Sequence, residues 1–201
     1  MKLIGMLDSP YVRRVAISAK CLGIDLEHES VSVFRHFEQF QQINPVVKAP
    51  TLILDDGVVL MDSTLILDYL EASSGKSLPP SDLKQRAQTL RLIGLSLAAC
   101  EKAVQLYYER NLRPAEIQYQ PWVERVEGQL AAAFTALEKE LEHRQFPVDG
   151  SLAQDGISLA VAWSFTDLVV PDQIDATRYP RIAEYTAYAE STDAFISTPM
   201  N

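Results

Sequence analysis

Cysteine is scarce in this chain: Cys21 and Cys100 are the only two among 201 residues. They form neither a Cys-x-x-Cys pair nor a metal-ligand spacing, which argues against a redox dithiol motif and a zinc site. Two distant cysteines are typical of free, buried thiols in a reducing compartment. We therefore predict a cytoplasmic protein with no bound metal.

Long apolar runs and an excess of positive charge are also missing. No stretch approaches the roughly 20 apolar residues of a membrane helix, and Asp8 interrupts the apolar start too early for a signal peptide. The chain has 18 Lys and Arg against 27 Asp and Glu, a formal net charge of -9. Because an acidic surface repels phosphate groups, we expect neither a nucleic acid nor a membrane as partner.

The first third of the chain alternates strand and helix patterns. One helix is expected to start at Pro10 and to end before Gly23, and Asp55-Asp56-Gly57 is typical of a hairpin turn. In the last helix of this region, Leu65, Ile66, Tyr69 and Leu70 are expected to face inward. The predicted order is β-α-β-α-β-β-α, over residues 2–6, 10–22, 26–31, 34–43, 51–54, 58–61 and 62–73.

Strand patterns stop after a segment rich in Gly, Pro and Ser. We predict an α/β domain over residues 1–78, a linker over 79–83 and an all-helical domain over 84–201. One predicted helix of the second domain is almost entirely apolar, which is typical of the buried centre of a helical bundle. Its predicted helices are 82–112, 122–144, 158–170 and 179–191.

Ser9-Pro10-Tyr11 follows the first strand. Serine is a good N-cap and proline suits the first helical position, so the local pattern alone predicts a helix start. A helix N-terminus also offers unpaired N–H groups and partial positive charge. A serine hydroxyl at this point could therefore donate a hydrogen bond to an anion such as a thiolate.

Two further features lie around the predicted hairpin. Pro50 is either the ordinary first residue of a strand or the second residue of a cis Ala49-Pro50 bond that presents the Ala49 backbone to a ligand. Asp62-Ser63 either caps the following helix or receives an α-amino acid group. Each feature is weak alone, but their order along the chain is informative.

In this order the features resemble the cytosolic glutathione S-transferase superfamily, over essentially the whole chain. Asn44-Pro45-Val46-Val47-Lys48-Ala49-Pro50 is similar to the family's Asn-Pro-x-Gly-Lys-Val-Pro segment. Asp62-Ser63 is similar to its acidic-Ser pair, Ser9-Pro10-Tyr11 to its Ser-Pro-aromatic variant, and Tyr179-Pro180 to its C-terminal pattern. Within the family, the chain looks most like the bacterial YibF-like branch. One departure is Val47, which stands where the family usually has glycine.

The resemblance implies a thioredoxin-like domain followed by a helical bundle, in a homodimer. It also implies roles for a first group of residues toward glutathione, the co-substrate. Ser9 would stabilise the thiolate, the backbone of Ala49 beside Pro50 would pair with the cysteinyl unit, and Asp62 with Ser63 would hold the γ-glutamyl group. Lys48 would meet the glycyl carboxylate, although a long lysine is as often a solvated surface charge.

A hydrophobic electrophile is expected between the domains, near Tyr11 and the residues Tyr107, Tyr108 and Arg110, for which core packing is the alternative. Because position 9 is serine, thiol–disulfide exchange is disfavoured. We therefore predict a Ser-type glutathione transferase of the detoxifying kind. The alternative is a non-enzymatic module that binds glutathione or another protein, because a fold alone does not fix function.

Overall fold

The structure is a computed structural model, and it describes residues 1–144 and 146–200. The chain divides into two compact units: Met1–Leu78 with the segment that begins at Ser191, and Pro79–Glu190. The predicted helical domain, residues 84–201, includes the segment after Glu190, and the structure corrects this assignment. The segment belongs with the first unit because its short helix packs against the first helix of the chain.

The first unit has four strands and four helices among its described residues. The first helix, α1, spans Pro10–Leu22, and Gly23 ends it in the left-handed conformation at φ 76°. The fourth, α8, is the short helix after Ser191. The elements are β1 (Lys2–Ile4), α1, β2 (Glu27–Glu29), α2 (Phe37–Ile43), β3 (Thr51–Ile53), β4 (Val59–Met61), α3 (Ser63–Ser74) and α8 (Asp193–Ile196).

The four strands form one sheet in the order β2-β1-β3-β4. β1 and β2 run parallel, as a strand–helix–strand crossover requires. β3 pairs antiparallel with both β1 and β4. The predicted element order and the Asp55-Asp56-Gly57 hairpin are confirmed, and each strand is shorter than its apolar pattern.

The core of this unit lies between the sheet and two helices. Leu3, Val12, Val15, Leu52 and Ile66 belong to one buried apolar cluster. The predicted inward face of α3 is only half right. Ile66 and Leu70 are buried, but Leu65 is 65% exposed and Tyr69 38% exposed, because the buried stripe runs through Ser63, Ile66, Leu67 and Leu70.

The second unit is helical throughout its described residues. Its apolar central helix begins at Gln154, four residues before the predicted start, and is buried along most of its length. The helices are α4 (Leu83–Asn111), α5 (Gln120–Leu141), α6 (Gln154–Val169) and α7 (Pro180–Glu190), with 3-10 turns at Ala115–Ile117 and Pro171–Gln173. Over residues 1–144 and 146–200, no helix combines the length and apolarity that crossing a membrane requires.

Two buried carboxylates connect these helices. Glu138 of α5 accepts hydrogen bonds from the backbone N–H groups of Arg181 and Ile182, each at 3.0 Å, and so caps the start of α7. Asp155 of α6 is fully buried and forms an ion pair with Arg144. Burial raises the pKa of the Asp155 carboxyl, and the Arg144 charge opposes that rise.

Candidate active site

The register of the sheet brings three separate chain segments to one edge. Ile4 of β1 lies opposite Thr51 of β3, and Thr51 lies opposite Met61 of β4. Ile4 and Met61 are the last residues of their strands, and Thr51 is the first of its strand. The turn that carries Ser9, the loop before Thr51 and the Asp62-Ser63 pair therefore all emerge at the same edge.

Gly5 shows how closely two of these segments approach each other. Its φ is 135°, and an added Cβ would lie 2.6 Å from Val12 Cγ2 and 3.1 Å from Ala49 Cβ. The start of α1 and the loop at Ala49 thus meet over a glycine that has no room for a side chain. This contact brings Ala49 to the same end of α1 as Ser9.

Ser9 is the N-cap of α1 by position, with Pro10 following it in the first turn. Its carbonyl accepts the Arg13 N–H at 3.0 Å, the first hydrogen bond of the helix. Within the described part of the chain, the Ser9 side chain makes no capping hydrogen bond, and the first turn of α1 holds no acidic residue. The hydroxyl is half-buried beside the positive end of a 13-residue helix, a setting that suits an anion.

Asp8 adds a carboxyl group directly before Ser9. Its burial raises the pKa of that carboxyl, while a hydrogen bond from the Ser9 backbone and the charge of Arg35 lower it. Burial is the largest of these effects, so the net shift of the Asp8 pKa is upward.

The Ala49-Pro50 bond is cis, so the isomer that the sequence left open is settled. The side chain of Asn44 holds the loop before Pro50 through hydrogen bonds. This buried side chain donates to Thr51 Oγ1 at 2.9 Å, and that hydroxyl donates to the Lys48 carbonyl at 2.8 Å. In residues 1–144 and 146–200, the Ala49 backbone N–H and C=O have no hydrogen-bond partner. They remain available to a peptide-like ligand.

Backbone strain is concentrated in the same loops. Val47 has φ 52° and Asp62 has φ 74°, and no other non-glycine residue in the described part of the chain has positive φ. Val47 thus occupies the left-handed conformation that glycine adopts without cost, while its side chain packs on Ile4, Val31 and Phe40. Such outliers persist only where the surrounding structure holds them, and they cluster at functional sites.

Asp62 has two neighbours for its carboxylate. Oδ1 accepts the Thr64 N–H at 2.9 Å and caps α3, while Oδ2 lies 3.7 Å from Lys48 Nζ. Asp62 therefore does cap α3, as one of the two predictions for it stated, and its second oxygen, Oδ2, faces the Lys48 ammonium group. Both side chains are about half exposed, so this ion pair contributes little to stability and can reorganise around a ligand.

The contacts of Ser63 bring Arg14 into the candidate site, to which the sequence analysis did not assign it. Ser63 is buried, and its Oγ accepts a hydrogen bond from Arg14 Nη1 at 3.1 Å. Arg14 also donates to Thr64 Oγ1 at 3.2 Å. The Ser63 proton remains available for donation, and a buried guanidinium lies behind it. This pair offers hydrogen bonding and positive charge to a carboxylate.

The residues expected near an electrophile fall into two groups. Tyr11 lies in the first turn of α1, whereas Tyr107, Tyr108 and Arg110 belong to α4 in the second unit. Arg110 donates to both Asp172 oxygens, at 2.9 and 3.0 Å, and to Glu127 at 2.6 Å. These bonds favour the packing alternative for Arg110. Contact of Tyr11, Tyr107 and Tyr108 with an electrophile stays a prediction.

Metal ligands do not cluster in the described residues: no group of three or more His, Cys, Asp or Glu side chains could hold an ion there. The arrangement at the sheet edge consists instead of a helix N-terminus with a hydroxyl, an open peptide unit and a polar pair backed by arginine. It is suited to binding an anionic peptide.

Comparison with known proteins agrees with this geometry. Residues 3–78 match the family model described as glutathione S-transferase, N-terminal domain. The first unit therefore matches the glutathione S-transferase N-terminal domain, and the chain along its whole length is similar in fold to glutathione S-transferases. Its thioredoxin-like unit and helical unit are the two parts of that fold.

Three similar proteins illustrate the relationship. The GST-like protein YibF of Escherichia coli, itself named as uncharacterized, is 27% identical over 161 residues, which are 80% of this chain and 76% of that protein. A glutathione S-transferase from Methylobacillus flagellatus, solved with glutathione bound, is 26% identical with a TM-score of 0.89, covering 100% and 99% of the two chains. A family member from Pseudomonas fluorescens, also with bound glutathione, is 28% identical with a TM-score of 0.86, covering 100% and 98%.

Proposed function

We propose that this protein is a glutathione transferase that activates glutathione as a thiolate through Ser9 and conjugates it to a hydrophobic electrophile. One observation carries the proposal: Ser9, the cis Ala49-Pro50 loop and Asp62-Ser63 emerge at one edge of one sheet. Glutathione in the two similar crystal structures supports the choice of ligand.

Each group takes one part of the tripeptide. The open N–H and C=O of Ala49 pair with the backbone of the cysteinyl unit. Ser63 donates to the γ-glutamyl carboxylate, with the Arg14 charge behind it, and Asp62 Oδ2 takes the γ-glutamyl amine. Lys48 turns from Asp62 to the glycyl carboxylate.

The energetics of thiolate formation are within reach of this site. A free thiol has a pKa of about 8.5, and lowering it by two units needs about 2.7 kcal/mol. A hydrogen bond to a charged group contributes about 1.5–3 kcal/mol, and a helix N-terminus about 0.3–2 kcal/mol. Ser9 donates this bond to sulfur and α1 adds its dipole, so a general base is not required.

In the reaction that follows, the thiol has lost its proton to water, and the glutathione sulfur attacks the electrophilic carbon. With an aromatic halide, a carbon–sulfur bond forms, the carbon–halogen bond breaks and halide leaves with the electron pair, which detoxifies the electrophile. Tyr11, in the first turn of α1, is proposed to contact the electrophile, whereas Arg110 is a structural residue of the second unit. We also propose that the protein works in the cytoplasm, a reducing compartment in which cysteines outside disulfides, such as Cys21 and Cys100, stay reduced.

A homodimer is proposed as the working form. Exposed apolar side chains on β4 and α3 support a contact with a second copy, namely Val59, Met61, Leu65 and Tyr69. Large exposed apolar patches mark interaction sites in soluble proteins. Sedimentation equilibrium of the full chain tests this, because a monomer at micromolar concentration would contradict it.

The activity is tested by glutathione conjugation to an aromatic halide, comparing wild type with Ser9→Ala. We expect turnover in the wild type and a loss of about tenfold to a hundredfold in the variant, the value of one charged hydrogen bond. An unchanged rate would contradict the role of Ser9. Retention on a glutathione matrix with no turnover on a broad electrophile panel would instead favour a binding module.

A further inference from the structure

The C-terminal segment of the first unit, residues 191–200, packs on α1 through a buried arginine of that helix. Arg13 is only 2% exposed, and its Nε donates a hydrogen bond of 2.8 Å to the Thr198 carbonyl. The guanidinium carbon lies 5.0 Å from the centre of the Phe195 ring. The hydrogen bond to Thr198 therefore joins two residues that are 185 positions apart in the sequence.

The guanidinium of Arg13 lies in a buried environment that provides an aromatic ring and a carbonyl group. Phe195 is fully buried and Thr198 is 2% exposed, so the receiving surface is shielded from water. Phe195 lies in α8 and Thr198 lies two residues after its end, where the Thr198 hydroxyl donates a hydrogen bond to the Ala194 carbonyl at 2.8 Å. A buried charge is costly unless it is paired, and a cation over an aromatic face gains most where water is excluded.

Arg13 lies one helical turn from Ser9. Its backbone N–H donates to the Ser9 carbonyl at 3.0 Å, which closes the first turn of α1. The next residue, Arg14, holds the start of α3 through Ser63. The first turn of α1 is therefore fixed from two sides, by the C-terminal segment through Arg13 and by α3 through Arg14.

We infer that Arg13 is a positioning residue for Ser9, and that the C-terminal segment sets the placement of the Ser9 hydroxyl and the α1 N-terminus against glutathione sulfur. The inference rests on the proposed function. It gives residues 191–200 an indirect role at the thiolate site, exerted through Arg13. A hydrogen bond to sulfur depends steeply on geometry, so loosening the first turn weakens it.

The test replaces Arg13 by methionine, which keeps length and apolarity but removes the guanidinium. Lys20→Met is the matched control, because Lys20 is an exposed cation on the same helix. We expect Arg13→Met to lower kcat about tenfold, to change the KM for glutathione less than about twofold and to raise the pKa of the bound thiol. Lys20→Met is expected to match the wild type.

Amide hydrogen exchange separates this inference from the proposed function. In Arg13→Met, the amides in the first turns of α1 should exchange about tenfold faster than in wild type, with Lys20→Met unchanged. Exchange and thiol pKa both equal to wild type would overturn the inference. If the wild type does not bind glutathione, the proposed function fails, and the exchange data still decide whether the C-terminal segment anchors α1.

A second variant covers the case in which Arg13→Met does not fold. Phe195→Leu keeps an apolar side chain in the buried position and removes the aromatic face beneath the guanidinium. It should shift the thiol pKa and the exchange of α1 in the same direction, by less. A fully folded Phe195→Leu protein with a wild-type thiol pKa and wild-type exchange would contradict the inference.

Discussion

Val47 permits a stability measurement whose sign can be derived from one backbone angle. Its φ of 52° places an L-residue in the left-handed region, at a cost of about 1–2 kcal/mol. The half-buried isopropyl group packs on the Ile4, Val31 and Phe40 cluster, which is worth about 1 kcal/mol. Replacing Val47 by alanine should lose that packing and keep the strain, so the free energy of unfolding should fall by about 1 kcal/mol.

Replacing Val47 by glycine loses the same packing but removes the strain. The greater backbone entropy of glycine in the unfolded chain costs about 0.5–1 kcal/mol. The free energy of unfolding of Val47→Gly should therefore be close to that of the wild type. We therefore expect Val47→Gly to be more stable than Val47→Ala by about 1 kcal/mol. At ordinary backbone angles the order is the reverse, with alanine more stable than glycine by about 0.5–1 kcal/mol.

Chemical denaturation of the full chain measures the pair, with thermal unfolding as a second readout. Ala72→Gly is the matched control, since Ala72 is an exposed residue within α3 and should show the ordinary order. If Val47→Ala proves more stable than Val47→Gly, the left-handed conformation of this loop is wrong. The strained presentation of Lys48 and Ala49 would then lose its basis.

Three further predictions concern carboxylates and Arg14. Glu138→Gln removes the charge of the carboxylate that caps α7 and one of its two accepting oxygens, and it should lower the free energy of unfolding by about 2 kcal/mol in chemical denaturation. Burial raises the folded-state pKa of Asp155, so its contribution to stability is greatest below about pH 4 and is lost as pH rises through that pKa. The wild type should therefore lose stability relative to Asp155→Asn as pH rises above about 4, and a gain would mean that the ion pair with Arg144 outweighs burial. Arg14→Met should weaken glutathione binding about tenfold by titration calorimetry, with Lys20→Met as control, and unchanged affinity would contradict its role behind Ser63.

Much of the fold follows from local chemistry in the sequence. The bounds of α1 match the prediction because a Ser-Pro start and a glycine end are both local signals. The strands are shorter than predicted because apolar residues continue beyond the last paired backbone group. The start of α6 was missed because Gln154 and Asp155 are polar yet buried, which an apolar run does not reveal.

The candidate site could be predicted only where a motif was contiguous. Ser9, Lys48-Ala49-Pro50 and Asp62-Ser63 each form a short run, and their order was readable. Arg14 bonds to a residue 49 positions away, and Arg13 to one 185 positions away, so neither partner is encoded locally. A signal did exist, because both arginines lie between apolar Val12 and Val15 on one helix, where a cation needs a buried partner.

The pKa of glutathione bound to this protein tests the central claim most directly. Thiolate absorbance of the complex, titrated from acid to neutral pH, reports it without any electrophile. We predict a pKa of about 6.5 in the wild type and a rise of about 1–2 units in Ser9→Ala, since one charged hydrogen bond of 1.5–3 kcal/mol is removed. A bound thiol that titrates near about 8.5 in the wild type, or identically in both proteins, would contradict thiolate activation by Ser9.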